Sequence, residues 1–210
     1  YPSILLGAVP MSPVNVAKML QPIASYGQKL TTSAVISVTD VNGFEIWNKP
    51  KKVVEIADYA TSYILNEGLK QVTQVGTAKR IGMYYPHVQY AGKTGTTDDL
   101  RDSWFIGYDQ QQLVTTWVGF DDNKATKLTG SSGALVLFAD YMKKSGVSDL
   151  KMKAPQTVAM TTFEANTGNA VDEDCLQMNK YPAIQTSLSY YQCLEKAEDK
   201  RNWFEKLFGD

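Results

Sequence analysis

The stretch YAGKTGTT, from Tyr90 to Thr97, has the composition of an extended strand that can hold an anionic group. Residues two apart lie on the same side of a strand, so Thr94 and Thr96 present their hydroxyls together. Lys93 adds a fixed positive charge next to these threonines. Gly95 removes a side chain that would keep another backbone at a distance. The stretch therefore predicts a strand along which a peptide with a carboxylate can lie.

Two further strands are predicted directly after this one. A polar turn at residues 98–102 leads to a strand at 103–108, and a four-residue connection separates it from a strand at 113–120. Short connections of this kind join antiparallel neighbours. The three segments therefore predict one antiparallel sheet.

The aromatic and acidic side chains of this region are interpreted as structural or solvent-exposed and not as a binding site. The aromatic residues are interpreted as core and cross-strand packing and not as a sugar-stacking platform; they are Trp104, Phe105, Trp117 and Phe120. The acidic residues beside Arg101 are interpreted as a solvated turn and not as a metal site; they are Asp98, Asp99 and Asp102.

The run from Gly92 to Gly119 resembles the transpeptidase domains of penicillin-binding proteins, and among them the bifunctional class A enzymes of the 1b type in Gram-negative bacteria. The resemblance implies an α+β fold in which helices pack against one antiparallel sheet, here a partial domain with a small C-terminal appendage. It implies that Lys93 is catalytic and faces the nucleophilic serine. It also implies that Thr94, Gly95 and Thr96 bind substrate, with the Thr96 backbone amide in the oxyanion hole.

The serine nucleophile of this family lies in an S-x-x-K motif that precedes the K-T-G strand, together with an S-x-N motif. One S-x-x-K occurs in this chain, from Ser148 to Lys151, and it follows the strand; no S-x-N occurs. Ser148 is therefore interpreted as a coincidental match. We expect the remaining part of the same enzyme to supply the serine, and this chain alone to be chemically inactive.

The resemblance implies a peptidoglycan D,D-transpeptidase that cross-links stem peptides through an acyl-serine intermediate. Its expected ligands are D-Ala-D-Ala stem peptides and β-lactams, without a cofactor. An outer-membrane lipoprotein is the activator expected for the family. The expected location is the periplasmic face of the bacterial inner membrane, with the membrane anchor and a glycosyltransferase domain outside this chain.

Several other functions are compatible with a K-T-G strand. A serine β-lactamase or a D,D-carboxypeptidase shares the strand but transfers the acyl group to water. A penicillin-binding sensor or a non-catalytic binding module is the alternative of another class. A purely structural interpretation is a further alternative, because an exposed edge strand also favours lysine and β-branched residues. A phosphate-binding loop is excluded, because the position where that loop needs its first glycine is His87.

The composition limits the choice of partners. A net charge of −1 over 210 residues gives no support to nucleic-acid binding. The longest apolar run, at 134–139, is far shorter than the roughly 18 residues that a membrane-spanning helix needs.

Helices and a hairpin are predicted around the sheet. Ser12 is a predicted N-cap, with Pro13 at the first helical position and Gly27 after the end. Residues 33–41 and 44–47 predict a hairpin around Asn42-Gly43. A second helix is predicted over 56–75 and stops near Gly76.

A third helix is predicted to cover the sheet. It begins at Ser131 or Ser132 and ends before Gly146. Its spacing directs Leu135, Phe138 and Met142 inward.

The pattern changes near residue 151. Residues 1–150 are interpreted as the C-terminal portion of a transpeptidase domain, with the K-T-G strand at 90–97, and residues 151–210 as a tail. The tail contains both cysteines, Cys175 and Cys193, and this even pair predicts a disulfide formed in an oxidising compartment. Two free thiols are the alternative.

A small hairpin is predicted in the tail around Thr167-Gly168, and residues 203–208 predict a short amphipathic segment. No metal site is predicted, since the chain has a single histidine, His87, which is interpreted as structural or surface-exposed.

Overall fold

The computed structural model describes residues 9–172, 174–194 and 196. The chain divides between Lys153 and Ala154 into two compact units. The described helices and strands of the first unit are α1 Pro13–Ala24, β1 Gln28–Leu30, β2 Ser37–Thr39, β3 Glu45–Asn48, β4 Val53–Glu55, α2 Tyr59–Gln74, α3 Ile81–Tyr84, β5 Ala91–Thr96, β6 Ser103–Tyr108, β7 Leu113–Val118 and α4 Ala134–Ser145. Those of the second unit are β8 Val158–Glu164 and β9 Met178–Ile184.

An antiparallel sheet of order β5-β6-β7 forms the centre of the first unit. Thr94 lies opposite Phe105, and Thr96 lies opposite Ser103. Lys93 lies opposite Ile106. Directly opposed residues share a face of a sheet, so the two threonines lie on one face and Lys93 on the other. The predicted sheet and the α+β fold are confirmed.

Helix α4 covers the face of the sheet that carries Phe105. The three side chains predicted to point inward, Leu135, Phe138 and Met142, are all fully buried. Phe138 packs edge-on against Phe105, with ring centroids 4.9 Å apart. The helix begins at Ala134, later than predicted, because the preceding residues form a turn in which Gly133 N bonds to Thr129 O.

A strand side chain satisfies the start of helix α4. The backbone amide of Ala134 donates to the hydroxyl oxygen of Ser103 at 2.8 Å, and that hydroxyl donates to Thr129 O at 2.7 Å. The first amides of a helix have no partner within the helix. A buried hydroxyl on β6 therefore fixes where α4 can begin, which the helix sequence does not reveal.

Helices α1 and α2 start at capped residues. Ser12 accepts a bond from the amide of Asn15, and Pro13 follows it, as predicted. Helix α2 starts at Tyr59 and not at residue 56, because Asp58 Oδ1 accepts a bond from the amide of Thr61 at 2.9 Å. That bond lowers the pKa of the Asp58 carboxyl.

One buried amide, that of Asn66, connects α1, α2 and β6. Its Nδ2 donates to Ile23 O at 2.9 Å and to Ser62 O at 2.8 Å. Its Oδ1 accepts a bond from the hydroxyl of Tyr108 at 2.8 Å. A tyrosine phenol is protonated at neutral pH and can donate, and burial raises the pKa of Tyr108 further above its ordinary value. A fully buried polar side chain is thereby fully satisfied.

The predicted hairpin around Asn42-Gly43 is present, with shorter strands than expected. β2 and β3 pair antiparallel, and Gly43 adopts a φ of +85°. Asp40 Oδ1 accepts bonds from the amides of Asn42 and Phe44, which closes the turn. β1 and β4 form a second antiparallel pair, which was not predicted.

The aromatic residues of the sheet follow the packing interpretation with one exception. Phe105 is fully buried, and Trp104 packs against Trp117 with centroids 6.0 Å apart. Phe120 lies beyond the end of β7 and is 55% exposed, so its assignment to the core is wrong. In the acidic turn Asp98 and Asp99 are exposed, and Arg101 pairs with Asp99 at 3.3 Å. Asp102 is half-buried, and its Oδ1 accepts a bond from Trp117 Nε1 at 2.8 Å.

The second unit is built on an antiparallel pair, β8 with β9, that was not predicted. A turn does form at Thr167-Gly168, where Gly168 has a φ of +71° and its amide bonds to Glu164 O. The small hairpin predicted there consists of a single bridge between Phe163 and Ala170, while the main ladder of β8 is with β9.

Cys175 and Cys193 form a disulfide, which confirms that prediction over two free thiols. The amphipathic segment predicted at 203–208 lies outside the described residues. Among the helices that the structure describes, none has both the length and the apolar character required to cross a membrane.

Removing the disulfide should loosen the second unit. The bond joins residues 18 apart, and a loop of that size is expected to stabilise the folded unit by about 3 kcal/mol through the constraint on the unfolded chain. Cys175→Ser should therefore increase the rate of proteolytic cleavage beyond Ala154, measured by limited proteolysis against the oxidised wild-type chain. Equal cleavage rates before and after the substitution would contradict this expectation.

Candidate active site

Strand β5 is hydrogen-bonded on one edge. The amide of Thr97 donates to Asp102 O at 3.2 Å, toward β6. Because an antiparallel ladder alternates, the backbone groups of Thr94 and Thr96 point to the opposite edge. Within the described residues, nothing bonds to the amides of Thr94 and Thr96. This edge therefore offers two backbone donors to an extended ligand.

Lys93 is exposed at the same strand. Its Nζ donates to the backbone oxygen of Thr94 at 2.8 Å, at the open edge of β5. No carboxylate of the described residues forms an ion pair with it. An ammonium has three donors, so two remain for a ligand or a second protein group.

The hydroxyl of Thr94 contacts a residue outside the strand. Its Oγ1 lies 2.7 Å from Oγ1 of Thr77, in the turn that follows helix α2. Sequence reasoning did not identify Thr77, because the two residues are 17 positions apart and belong to different elements.

The hydroxyl of Thr96 contacts the turn before helix α4. Its Oγ1 accepts a bond from the amide of Gly130 at 2.9 Å. A Cβ at position 130 would lie 2.7 Å from Trp104 O and 2.9 Å from Gly95 O. A side chain at this position would therefore separate the turn from the sheet and remove the bond to Thr96. Sequence reasoning did not identify Gly130 as part of the site either.

Packing within the sheet requires a glycine at position 92 and leaves little room for a side chain at position 95. A Cβ at Gly92 would lie 2.8 Å from both the Ile106 oxygen and the Phe105 ring. A Cβ at Gly95 would lie 3.1 Å from Trp104 Cβ. The absent side chain of Gly95 was predicted to admit another backbone, and the structure shows that Trp104 is its close neighbour.

Ser148 and His87 lie away from the open edge of β5. The amide of Ser148 donates to Asp109 Oδ2 at 2.8 Å, just beyond the end of β6. Tyr108 at that end pairs with Ala91, at the opposite end of β5 from Thr96. His87 is an exposed residue of the loop before β5.

The donors brought together at or beside the open edge are the amides of Thr94 and Thr96, their two hydroxyls and the Lys93 ammonium. The Thr94 oxygen, an acceptor at the same edge, is bonded to that ammonium. Such a set suits a ligand that carries acceptors, above all a carboxylate or a polarised carbonyl. Within the described residues, no serine or cysteine contacts Lys93, so this edge can bind and orient a group but holds no nucleophile beside the cation.

Comparison with known protein families identifies the family of this chain. Residues 4–143 match the penicillin binding protein transpeptidase domain. The chain belongs to this family. The match spans the K-T-G strand, the central sheet and most of helix α4, so the open edge of β5 lies within the family's transpeptidase domain.

Relatives of this transpeptidase domain include penicillin-binding protein 1B of Vibrio cholerae, which is 35% identical over 99% of this chain and 26% of its own length. Penicillin-binding protein 1B of Escherichia coli is 35% identical over 75% of this chain and 19% of its own length. The chain thus spans about a quarter or less of these relatives.

The fold of the transpeptidase domain is shared with a solved structure, penicillin-binding protein 1A from Haemophilus influenzae. The TM-score is 0.79 at 17% identity, covering 92% of this chain and 35% of that chain. At this identity the likeness establishes the fold alone.

Replacing Gly130 should destabilise the domain. In Gly130→Ala the new methyl meets backbone atoms at 2.7–2.9 Å, and the turn must move at a cost of about 1–3 kcal/mol in the free energy of unfolding. Gly68→Ala in helix α2 is the matched control, because, apart from the backbone of its own helix, no heavy atom of the described residues lies within 4 Å of its methyl. The control should stabilise by about 0.5–1 kcal/mol. Denaturant unfolding of the chain compares the two, and equal effects would contradict the close-contact argument.

Proposed function

We propose that this chain is the C-terminal portion of a peptidoglycan D,D-transpeptidase of the class A, 1B type. The enzyme cross-links stem peptides through an acyl-serine intermediate and is acylated by β-lactams. The observation that supports the proposal most strongly is the open edge of β5, where a cation, two hydroxyls and two amides converge on one extended segment. The catalytic serine belongs to the part of the enzyme outside this chain.

The terminal carboxylate of D-Ala-D-Ala, or the matching carboxylate of a β-lactam, binds the hydroxyls of Thr94 and Thr96. A hydrogen bond to a charged group contributes about 1.5–3 kcal/mol. A peptide that adds to the open edge as a strand also gains backbone bonds, and Gly95 lies between the two threonines. The scissile amide is thereby held in one orientation relative to the serine.

The amide of Thr96 donates to the oxyanion of the tetrahedral intermediate. It points to the open edge and has no partner in the described residues, so it is available where negative charge develops. A pre-oriented donor stabilises the transition state without reorganisation during the reaction. The second oxyanion donor comes from the serine's own segment.

Lys93 supplies the positive charge beside the nucleophile. In the free chain its ammonium bonds to the Thr94 oxygen, which lies on the edge that a peptide would occupy. When a ligand strand takes that edge, the ammonium turns toward the serine and the substrate. The cation then stabilises the negative charge that develops during acyl transfer.

The enzyme acts on the periplasmic face of the bacterial inner membrane, anchored by a segment outside this chain. A disulfide between Cys175 and Cys193 is consistent with an oxidising compartment. The full enzyme combines this activity with a glycosyltransferase domain, and an outer-membrane lipoprotein activates it.

Substituting Lys93 in the complete enzyme should nearly abolish covalent labelling. Lys93→Ala removes the cation but no packed atoms, since the side chain is exposed. Labelling by a fluorescent penicillin should fall by at least about a hundredfold, while the melting temperature stays within a few degrees. Lys144→Ala, on the last turn of α4, is the control and should label normally. Normal acylation of Lys93→Ala would overturn the role of Lys93.

The isolated 210-residue chain should form no adduct with penicillin. Incubation followed by intact-mass measurement should show unmodified protein, whereas the complete enzyme gains one penicillin. A covalent adduct on Ser148, or on any other residue of the chain, would show that the nucleophile does not lie elsewhere.

A further inference from the structure

Thr77 lies beside the substrate strand, and its hydroxyl makes one hydrogen-bond contact among the residues that the structure describes. That contact is the 2.7 Å approach to the hydroxyl of Thr94. We infer that Thr77 is a positioning residue: it donates to Thr94, and so makes the Thr94 hydroxyl a donor toward the substrate carboxylate. This inference rests on the proposed function, because it concerns how the same strand recognises the carboxylate.

The companion hydroxyl shows how the direction of such a bond is fixed. A threonine hydroxyl has one proton to donate and two lone pairs that accept. Thr96 Oγ1 accepts a bond from the Gly130 amide, and an amide can act as nothing but a donor. Its proton has no acceptor among the described residues, so it is free for a ligand.

In the Thr77–Thr94 pair, Thr94 likewise accepts a bond and keeps its proton for the ligand, but its donor is a second hydroxyl. An ionised carboxylate accepts and cannot donate, so Thr94 must give its proton to the substrate. The 2.7 Å contact then requires Thr77 to supply the proton between the two oxygens. In a chain of hydrogen bonds each bond polarises the next, which strengthens the donation from Thr94.

The backbone around Thr77 is fixed on both sides. Gly76 approaches helix α2 so closely that a Cβ would lie 2.8 Å from Val72 Cα. Ala78 is fully buried, and its amide bonds to Val72 O at 2.9 Å. The hydroxyl of Thr73 on the same helix donates to Tyr90 O at 2.6 Å, next to the start of β5. Thr77 is therefore held at a constant distance from the strand.

The consequence is selectivity for an ionised carboxylate. Two hydroxyls that both present protons favour a group that accepts two hydrogen bonds and carries a full negative charge. An ester at this position has no negative charge, and a bond to a charged acceptor is the stronger kind. Thr77 should therefore matter for ligands with a free carboxylate and have little influence on ligands without one.

The test is a double-mutant cycle in the complete enzyme, with Thr77→Val, Thr94→Val and the double variant. The measured quantity is the second-order rate constant of acylation by benzylpenicillin and by its methyl ester. Thr77→Val should lower the rate with benzylpenicillin about fivefold, the loss of one ordinary hydrogen bond. It should leave the ester rate unchanged and add nothing in the Thr94→Val background. Thr77→Ser, which keeps the hydroxyl, should restore the wild-type rate within about twofold.

The control variant is Thr115→Val, on strand β7 of the same sheet. It removes a buried hydroxyl that has no hydrogen-bond partner within the described residues. This variant should be acylated by benzylpenicillin at the wild-type rate. Equal losses from Thr77→Val with both ligands, or in both backgrounds, would show a merely structural role and overturn the inference alone. If Thr94→Val is acylated by benzylpenicillin at the wild-type rate, the proposed recognition by the strand fails, and the role of Thr77 fails with it.

Discussion

The fold depends on a strand that must be paired on one edge and open on the other. β5 takes its ladder from β6, while the backbone of Thr94 and Thr96 faces away from the sheet. An edge strand has a single strand neighbour, so contacts to the face that carries its threonines help to hold it in position. Thr77 and Gly130 provide such contacts, and each acts on a threonine. The side chains of Thr94 and Thr96, which we propose bind the substrate, are thus the same side chains that hold β5 in place.

Close packing makes this support rigid. The turn at Gly130 lies against the backbone of β5 and β6, with no room for a Cβ. The next residues lead into α4, whose first amide bonds to Ser103 and whose Phe138 packs on Phe105. A shift of the helix would therefore be transmitted to the turn and from it to Thr96. Interiors packed at this density transmit displacement and do not absorb it.

Local signals in the sequence predicted the elements that local physics controls. The Asn42-Gly43 hairpin, the three central strands and the inward face of α4 follow from turn chemistry and periodicity. The start of α4 was placed too early, because Ser103 on a distant strand caps it. β9 was missed because Pro182 and Lys180 interrupt its strand pattern. Thr77 and Gly130 lie 17 and 34 positions from their partners, and tertiary packing alone brings each pair together.

The buried amide of Asn66 has a consequence for how the first unit opens. It bonds to α1, to its own helix and to Tyr108 on β6, so none of these elements can leave without exposing polar groups that have lost their partners. Both helices and the central sheet therefore melt as one cooperative block. The β2–β3 hairpin has every strand residue exposed and can open by itself. Hydrogen exchange in that hairpin thus proceeds through local fluctuations, while exchange in β6 waits for unfolding of the whole block.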